Sequence, residues 1–165
     1  MKFIYFFVLT TTFCFSQKTA FNTLNENESY IEYLTKNNDI LKLGDTLIIG
    51  IPTTQEGFNY ISQGGQKVSH TLAMKKVIVT KLKTYGSQKN GYKMYVHFKG
   101  YGLLPVLIDY ETAFDLGEII NPNASLSKKQ AIEKLKETKE LLELGVIKID
   151  DYTKIKEELT KIILK

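Results

Sequence analysis

KKVIVTKLKTYGSQKNGYKMYVHFKG, residues 75 to 100, consists of two β-prone runs around an Asn90-Gly91 pair. Asn and Gly both tolerate positive φ, so the pair favours a tight hairpin. Successive strand side chains alternate between faces, which puts Tyr92, Met94, Val96 and Phe98 on one side of the second arm. Lys93, Tyr95, His97 and Lys99 fall on the other, with His97 expected in solvent. On the first arm Ile78 and Leu82 are expected to point inward, and Val79, Lys81 and Lys83 outward. A sheet with one dry and one wet side follows.

Upstream, ILKLGDTLIIGIP predicts a turn at Gly44-Asp45 and a strand from Thr46 to Ile51, stopped by Pro52. A loop or long hairpin follows, with a short strand from Phe58 to Ile61 and Gly64-Gly65 beyond it. Downstream, GLLPVLIDY contains Pro105, which suits an edge strand or a bulge. Asp109 is placed to cap a helical turn through TAFDLGE, ending at Gly117. Several short antiparallel strands with one apolar face must curl over a core, so residues 39 to 120 are expected to form a small β-barrel. LKLGDTL, the long hairpin and the late helical turn together resemble an SH3-like barrel; an OB-like barrel has the same features, and both stay open.

Residues 17 to 38 are polar, rich in Asn and Glu, and read as a linker with a short helix from Ser29 to Lys36. Ahead of them, MKFIYFFVLTTTFCFSQ has Lys2, an apolar run and small residues at Cys14 and Ser16. This is the anatomy of a signal peptide spanning residues 1 to 16, so a secreted or periplasmic protein is expected. The run is shorter than the roughly 20 apolar residues a bilayer span needs, and the mature chain is expected to have no such span. Lipid anchoring through Cys14 is not expected, because Thr11, Thr12 and Phe13 lack the small residue that bacterial lipoproteins place beside the Cys. Cleavage after Ser16 leaves no Cys, which excludes disulfides and thiolate chemistry from the mature protein.

The net charge is +4, unevenly placed. From Gly57 to Ile108 there are eight Lys and no acid, whereas the only charges from Asp109 to Glu118 are Asp109, Glu111, Asp115 and Glu118. All the cations are Lys. An ammonium is a hydrated point charge without the planar fork of guanidinium, which favours diffuse anion attraction over two-point recognition. Lys81, Lys83, Lys93, Tyr95 and Lys99 are therefore the candidate anion-binding residues, for an anionic polymer or surface at the cell envelope. Lys and Tyr can also track a nucleic-acid backbone and stack bases, but export argues against that partner.

Catalytic and metal signatures are missing. His70 and His97 make no paired zinc motif, the acids after residue 108 lack a calcium-loop spacing, and there is no P-loop, Gly-x-Ser-x-Gly or dinucleotide fingerprint. No cofactor is expected, and a non-enzymatic role is.

The chain closes with two helical stretches in residues 125 to 165. Ser127 can cap a helix to Gly145 carrying Ile132, Leu135, Leu141 and Leu142. VIKI crosses over, and Asp150 or Asp151 can cap a second helix with Tyr152, Ile155, Leu159 and Ile162 on one side. The pattern Leu135, Leu142, Gly145, Ile147, Tyr152, Lys156 and Leu159 resembles the bacterial short C-terminal domain, SHOCT. Lys148-Ile149 departs from it, since the family more often has Thr followed by acids there. The resemblance implies a non-catalytic element for oligomerisation or docking to another envelope protein. Leu135, Leu142, Gly145, Ile147, Tyr152, Ile155 and Leu159 are its candidate interface. Helices of about four turns are marginal alone, which also calls for a second surface.

Overall fold

The structure is a computed structural model that describes residues 17–164. The expected signal peptide and Cys14 lie outside the described residues. The fold is α+β: short, mostly antiparallel strands followed by a C-terminal two-helix hairpin.

The chain begins with β1 (Lys18–Ala20), β2 (Ser29–Tyr30), β3 (Glu32–Leu34), β4 (Ile40–Lys42) and β5 (Thr46–Ile49). There follow β6 (Ile61–Gln63), β7 (Gln66–Lys67), β8 (Lys76–Ile78), β9 (Lys81–Ser87), β10 (Gly91–Phe98) and β11 (Val106–Asp109). The last elements are α1 (Tyr110–Asp115), β12 (Ile119–Ile120), α2 (Lys128–Glu143) and α3 (Ile149–Ile163). Three sheets result, ordered β1-β3-β4, β2-β9-β10-β11-β6-β7 and β12-β5-β8. Only β1 and β3 run parallel among the described pairs. None of the three sheets closes on itself among the described residues.

One core unites all three sheets with α1. Tyr33 and Leu41 come from the first, Leu82, Val96, Phe98 and Ile108 from the second, Leu47, Ile49 and Ile119 from the third, and Tyr110 from α1. Each such fully buried large side chain contributes roughly 1.5–3 kcal/mol relative to exposure.

The hairpin at residues 75 to 100 forms, with two differences from its sequence pattern. Ser87 pairs with Gly91, so Gln88–Asn90 make a three-residue loop. Gly91, with φ 77°, supplies the left-handed residue that such a loop needs. On the first arm Leu82 is buried as expected, but Val79 is buried and Ile78 is 59% exposed. The cause is a corner at Thr80, where the chain leaves the third sheet at β8 and enters the second at β9. There the backbone N–H and hydroxyl of Thr80 both donate to the His97 carbonyl, at 2.8 and 3.0 Å. The inward set therefore runs Val77, Val79, Leu82, Thr84, with one step out of alternation.

Residues 17 to 38 are not a linker: they contain the short strands β1, β2 and β3 and a single 3-10 turn at Phe21–Thr23, and no helix spans Ser29 to Lys36. Tyr30 pairs within the second sheet and Tyr33 within the first, and both are buried. Two large aromatic residues supply apolar area that a count of aliphatic residues underrates. Buried Thr84 ties the segment down, its hydroxyl donating to the Asn25 carbonyl at 2.6 Å and accepting from Glu28 N–H at 3.0 Å.

The Pro105 run is not an edge. β11 pairs with β10 on one side and β6 on the other, because Pro105 precedes the strand and its missing N–H falls outside the ladder. Short strand β6 starts at Ile61, later than expected, and β5 stops at Ile49. There Gly50 approaches the segment leading into β12 closely: a Cβ on it would lie 1.9 Å from the Gly117 carbonyl oxygen.

The closing hairpin has the expected helices. Ser127 caps α2 in a reciprocal box with Gln130: Gln130 N–H donates to Ser127 Oγ at 3.2 Å, and Ser127 N–H to Gln130 Oε1 at 3.0 Å. Gly145 sits at φ 71°, the left-handed helix stop. The cap of α3 is Lys148, not Asp150 or Asp151; the two acids occupy the first turn, where they still meet the positive end of the helix dipole.

Candidate functional site

Strand register decides which predicted residues meet. Across β9 and β10, Lys83 pairs with Tyr95, Lys81 with His97, and Tyr85 with Lys93. Lys81, Lys83, Lys93 and Tyr95 thus share the outer face of one hairpin. Lys99 follows the end of β10, and the six steps from Lys93 to Lys99 span about 20 Å at strand rise.

Tyr85, absent from the predicted set, completes the face. Its ring meets Tyr95 edge-on at 5.2 Å and lies nearly parallel to the His97 ring, 15° apart with centroids at 5.9 Å. Lys83 Nζ stands 5.1 Å from the centre of the Tyr85 ring. The alternation that selected Lys81 and Lys83 extends to Tyr85, so the signal was present.

His97 is not in solvent; only 8% of it is exposed. Burial first, then the neighbouring ammonium groups of Lys81 and Lys83, lower its pKa. Lys93 Nζ donates to Asp109 Oδ2 at 2.6 Å. Asp109 stands at the cap position of α1, but its side chain makes no cap bond and is given to Lys93 instead. That hydrogen bond raises the Lys93 pKa, and burial followed by the Asp109 charge raises that of Tyr95. The free cations of the face are therefore Lys81 and Lys83, which have no carboxylate within ion-pair reach among the described residues. Two unpaired ammonium groups over an aromatic floor can attract an anion.

On its other side Lys93 borders a cavity of about 370 Å³, lined also by Phe21, Leu24, Tyr92, Glu111 and Asp115. Glu111 Oε1 accepts from the Tyr33 hydroxyl at 2.7 Å and from Lys36 N–H at 3.1 Å, and Lys36 Nζ pairs with Asp115. Glu111 Oε2 and Asp115 Oδ1 are buried without a partner. Burial raises the Glu111 pKa, with the Asp115 charge a smaller cause; the bonds from Tyr33 and Lys36 oppose the shift. Among the described residues no group of three or more His, Cys, Asp or Glu is placed to hold a metal ion.

The hairpin residues divide by depth. Leu159 is buried, while Leu135, Leu142, Ile147, Tyr152 and Ile155 are half-buried and Gly145 is exposed in the turn. Ala131 and Thr138, missed by a search for large apolar residues, are the buried residues of α2. Thr138 is accommodated there because its hydroxyl donates to the Lys134 carbonyl at 2.6 Å. Around Gly145, Leu141, Leu144, Val146 and Ile149 are all exposed, Leu144 at 75%. None of the hairpin side chains belongs to the main core. No helix among the described residues is long and apolar enough to cross a membrane.

The chain matches no family model, and no curated protein or solved structure matches it.

Proposed function

We propose that this chain is an exported, non-enzymatic interaction protein, in which the sheet domain carries a SHOCT-like hairpin for self-association or docking to another envelope protein. The observation that carries this reading is the exposed cluster Leu141, Leu144, Val146 and Ile149 at the hairpin turn. Apolar side chains grouped at a surface lose contact with water only when something covers them. The two helices support the same reading: their buried residues among those described are Ala131, Thr138 and Leu159, few for two helices of this length. The similarity of Leu135, Leu142, Gly145, Ile147, Tyr152 and Leu159 to the SHOCT pattern agrees with it. The sheet domain is read as a barrel-like wrap of SH3 or OB type, supported by the Thr80 corner that passes one chain segment between two sheets.

Light scattering of the chain from Gln17 onward, with and without residues 125 to 165, tests the proposal. Self-association predicts a multimer that becomes monomeric on deletion or with Leu144→Ser and Val146→Ser. A monomer at all concentrations moves the reading to a different partner, which cross-linking in the envelope would trap through the same residues. Capture that is unchanged in the double variant would overturn the role of the hairpin.

A second reading, binding of an anionic polymer through the Lys/Tyr face, is favoured by the pairing of Lys93 alone with an acid while Lys81 and Lys83 stay free. Lys81→Glu with Lys83→Glu should abolish salt-sensitive binding to a polyanion column, and unchanged retention would remove this reading.

A further inference from the structure

The segment between β10 and β11 is KGYGLLP, residues 99 to 105. At its tip Leu103 is 104% exposed, as open as in an unfolded chain, and Leu104 is 56% exposed. The loop is nevertheless fastened at several points. Gln63 Nε2 donates to the carbonyls of Tyr101 at 2.6 Å and Leu104 at 2.7 Å. The Tyr101 ring meets Phe98 edge-on at 5.7 Å and lies under Lys75 Nζ at 5.2 Å. Gly100 and Gly102, with φ of 103° and 110°, allow the path between these points. Leucine exposure here is therefore built into a held loop.

Beside the loop runs a polar groove of about 480 Å³, lined by Lys67, Lys75, Gln63, Ser69, Thr71 and Tyr101 among others. Lys99 opens the loop itself. From Gly57 to Ile108 the chain has no acid, and among the described residues the one carboxylate within ion-pair reach of Lys67, Lys75 or Lys99 is Glu56, whose 3.9 Å contact with Lys67 joins two exposed side chains. An exposed pair of that kind holds little charge back.

We propose that this end of the molecule attaches peripherally to an anionic lipid bilayer, with Leu103 and Leu104 entering the acyl boundary and Lys67, Lys75 and Lys99 meeting the headgroup phosphates. Charge selects the partner sign and the apolar tip selects its structure. A soluble polyanion would satisfy the lysines and leave Leu103 in water. A bilayer is anionic at its surface and apolar just beneath, so it satisfies both. The site lies on different residues from the hairpin turn and from the Lys81–Lys83 face, so it stands or falls independently of them.

Vesicle co-sedimentation of the chain from Gln17 onward, which carries the whole described fold, tests the inference. Binding is expected to vesicles of mixed phosphatidylglycerol and phosphatidylcholine, weakening with salt, and to be far weaker with phosphatidylcholine alone. Leu103→Asp should lower the partition coefficient by at least roughly tenfold, and Lys67→Glu with Lys75→Glu by a similar factor. Both sites are on the surface, so unchanged melting curves will show that the variants fold. The chain has no Trp, so Leu103→Trp provides a direct depth probe whose emission should shift to the blue on vesicles and be quenched by brominated lipid. A Trp that stays in water, equal binding to neutral vesicles, or Leu103→Asp binding as well as wild type would each overturn the proposal. So would retention of polyphosphate without any vesicle binding, which would identify a soluble anion as the partner.

Discussion

The Tyr33 hydroxyl donates to Glu111 Oε1 at 2.7 Å, joining β3 to α1 across 78 positions of sequence. The contact makes the N-terminal strands part of the domain and leaves Glu111 as a half-buried acid beside Asp115, with its Oε2 atom buried.

Glu111 gives a pH prediction. Its pKa in the fold is raised above the ordinary 4.5, so the folded state binds more protons than the unfolded one over the interval just above that value, and stability falls as pH rises through it. Glu111→Gln keeps an acceptor for Tyr33 and Lys36 without the buried charge. Its stability relative to wild type should improve from pH 4 to pH 7, read as urea midpoints; a difference independent of pH would show that Glu111 ionises normally.

Glu118 anchors the loop before β6. Its carboxylate accepts from the N–H groups of Asn59 and Tyr60, each at 2.8 Å, and from the Thr53 hydroxyl. Glu118→Ala removes the acceptor that the partly buried Asn59 and Tyr60 N–H groups share and should cost about 2 kcal/mol in urea unfolding. A loss below about 1 kcal/mol would mean that the loop finds other acceptors.

Gly50 and Gly44 form a controlled pair. Alanine at Gly50 drives Cβ into the Gly117 carbonyl, whereas Gly44 has φ 88° with open space around it. Gly44→Ala should cost about 1 kcal/mol in backbone strain, and Gly50→Ala should cost at least about 2 kcal/mol because backbone must move. Thermal melts of the two variants would rank them, and the reverse order would contradict the close approach.

His97 should report anion binding. Lowered by burial and by Lys81 and Lys83, its pKa will climb when an anion settles between those lysines, so a polyanion should bind more tightly as pH falls from 7.5 to 5.5. Without ligand the sign is opposite for stability: the unfolded chain protonates first, and stability contributed by neutral His97 is lost as pH falls below the ordinary value of about 6.5. Imidazole NMR titration with and without polyphosphate measures both.

Alternation made the second arm of the central hairpin legible, since Met94, Val96 and Phe98 are buried together. It failed on the first arm because the Thr80 corner is a tertiary event: nothing in VIVTKL marks where a strand changes sheets. The N-terminal strands were illegible for another reason. Tyr30 and Tyr33 are three residues apart across a kink, a spacing that matches no strand period, and their partners lie far off in sequence. At the candidate site the Lys and Tyr positions were readable from parity. Ion pairing was not, because the commitment of Lys93 to Asp109 depends on the register of β10 against β11.

The Gln130 side chain has two tasks. Its oxygen holds the Ser127 N–H at the start of α2, and its nitrogen donates to the Phe114 carbonyl in α1 at 2.6 Å. The side chain that closes the first turn of α2 thus also ties that turn to α1, and Gln130→Ala is expected to loosen both together. Amide exchange at Ala131, whose N–H bonds to the Ser127 carbonyl at 2.8 Å, reads out how firmly that shared amide seats the start of α2.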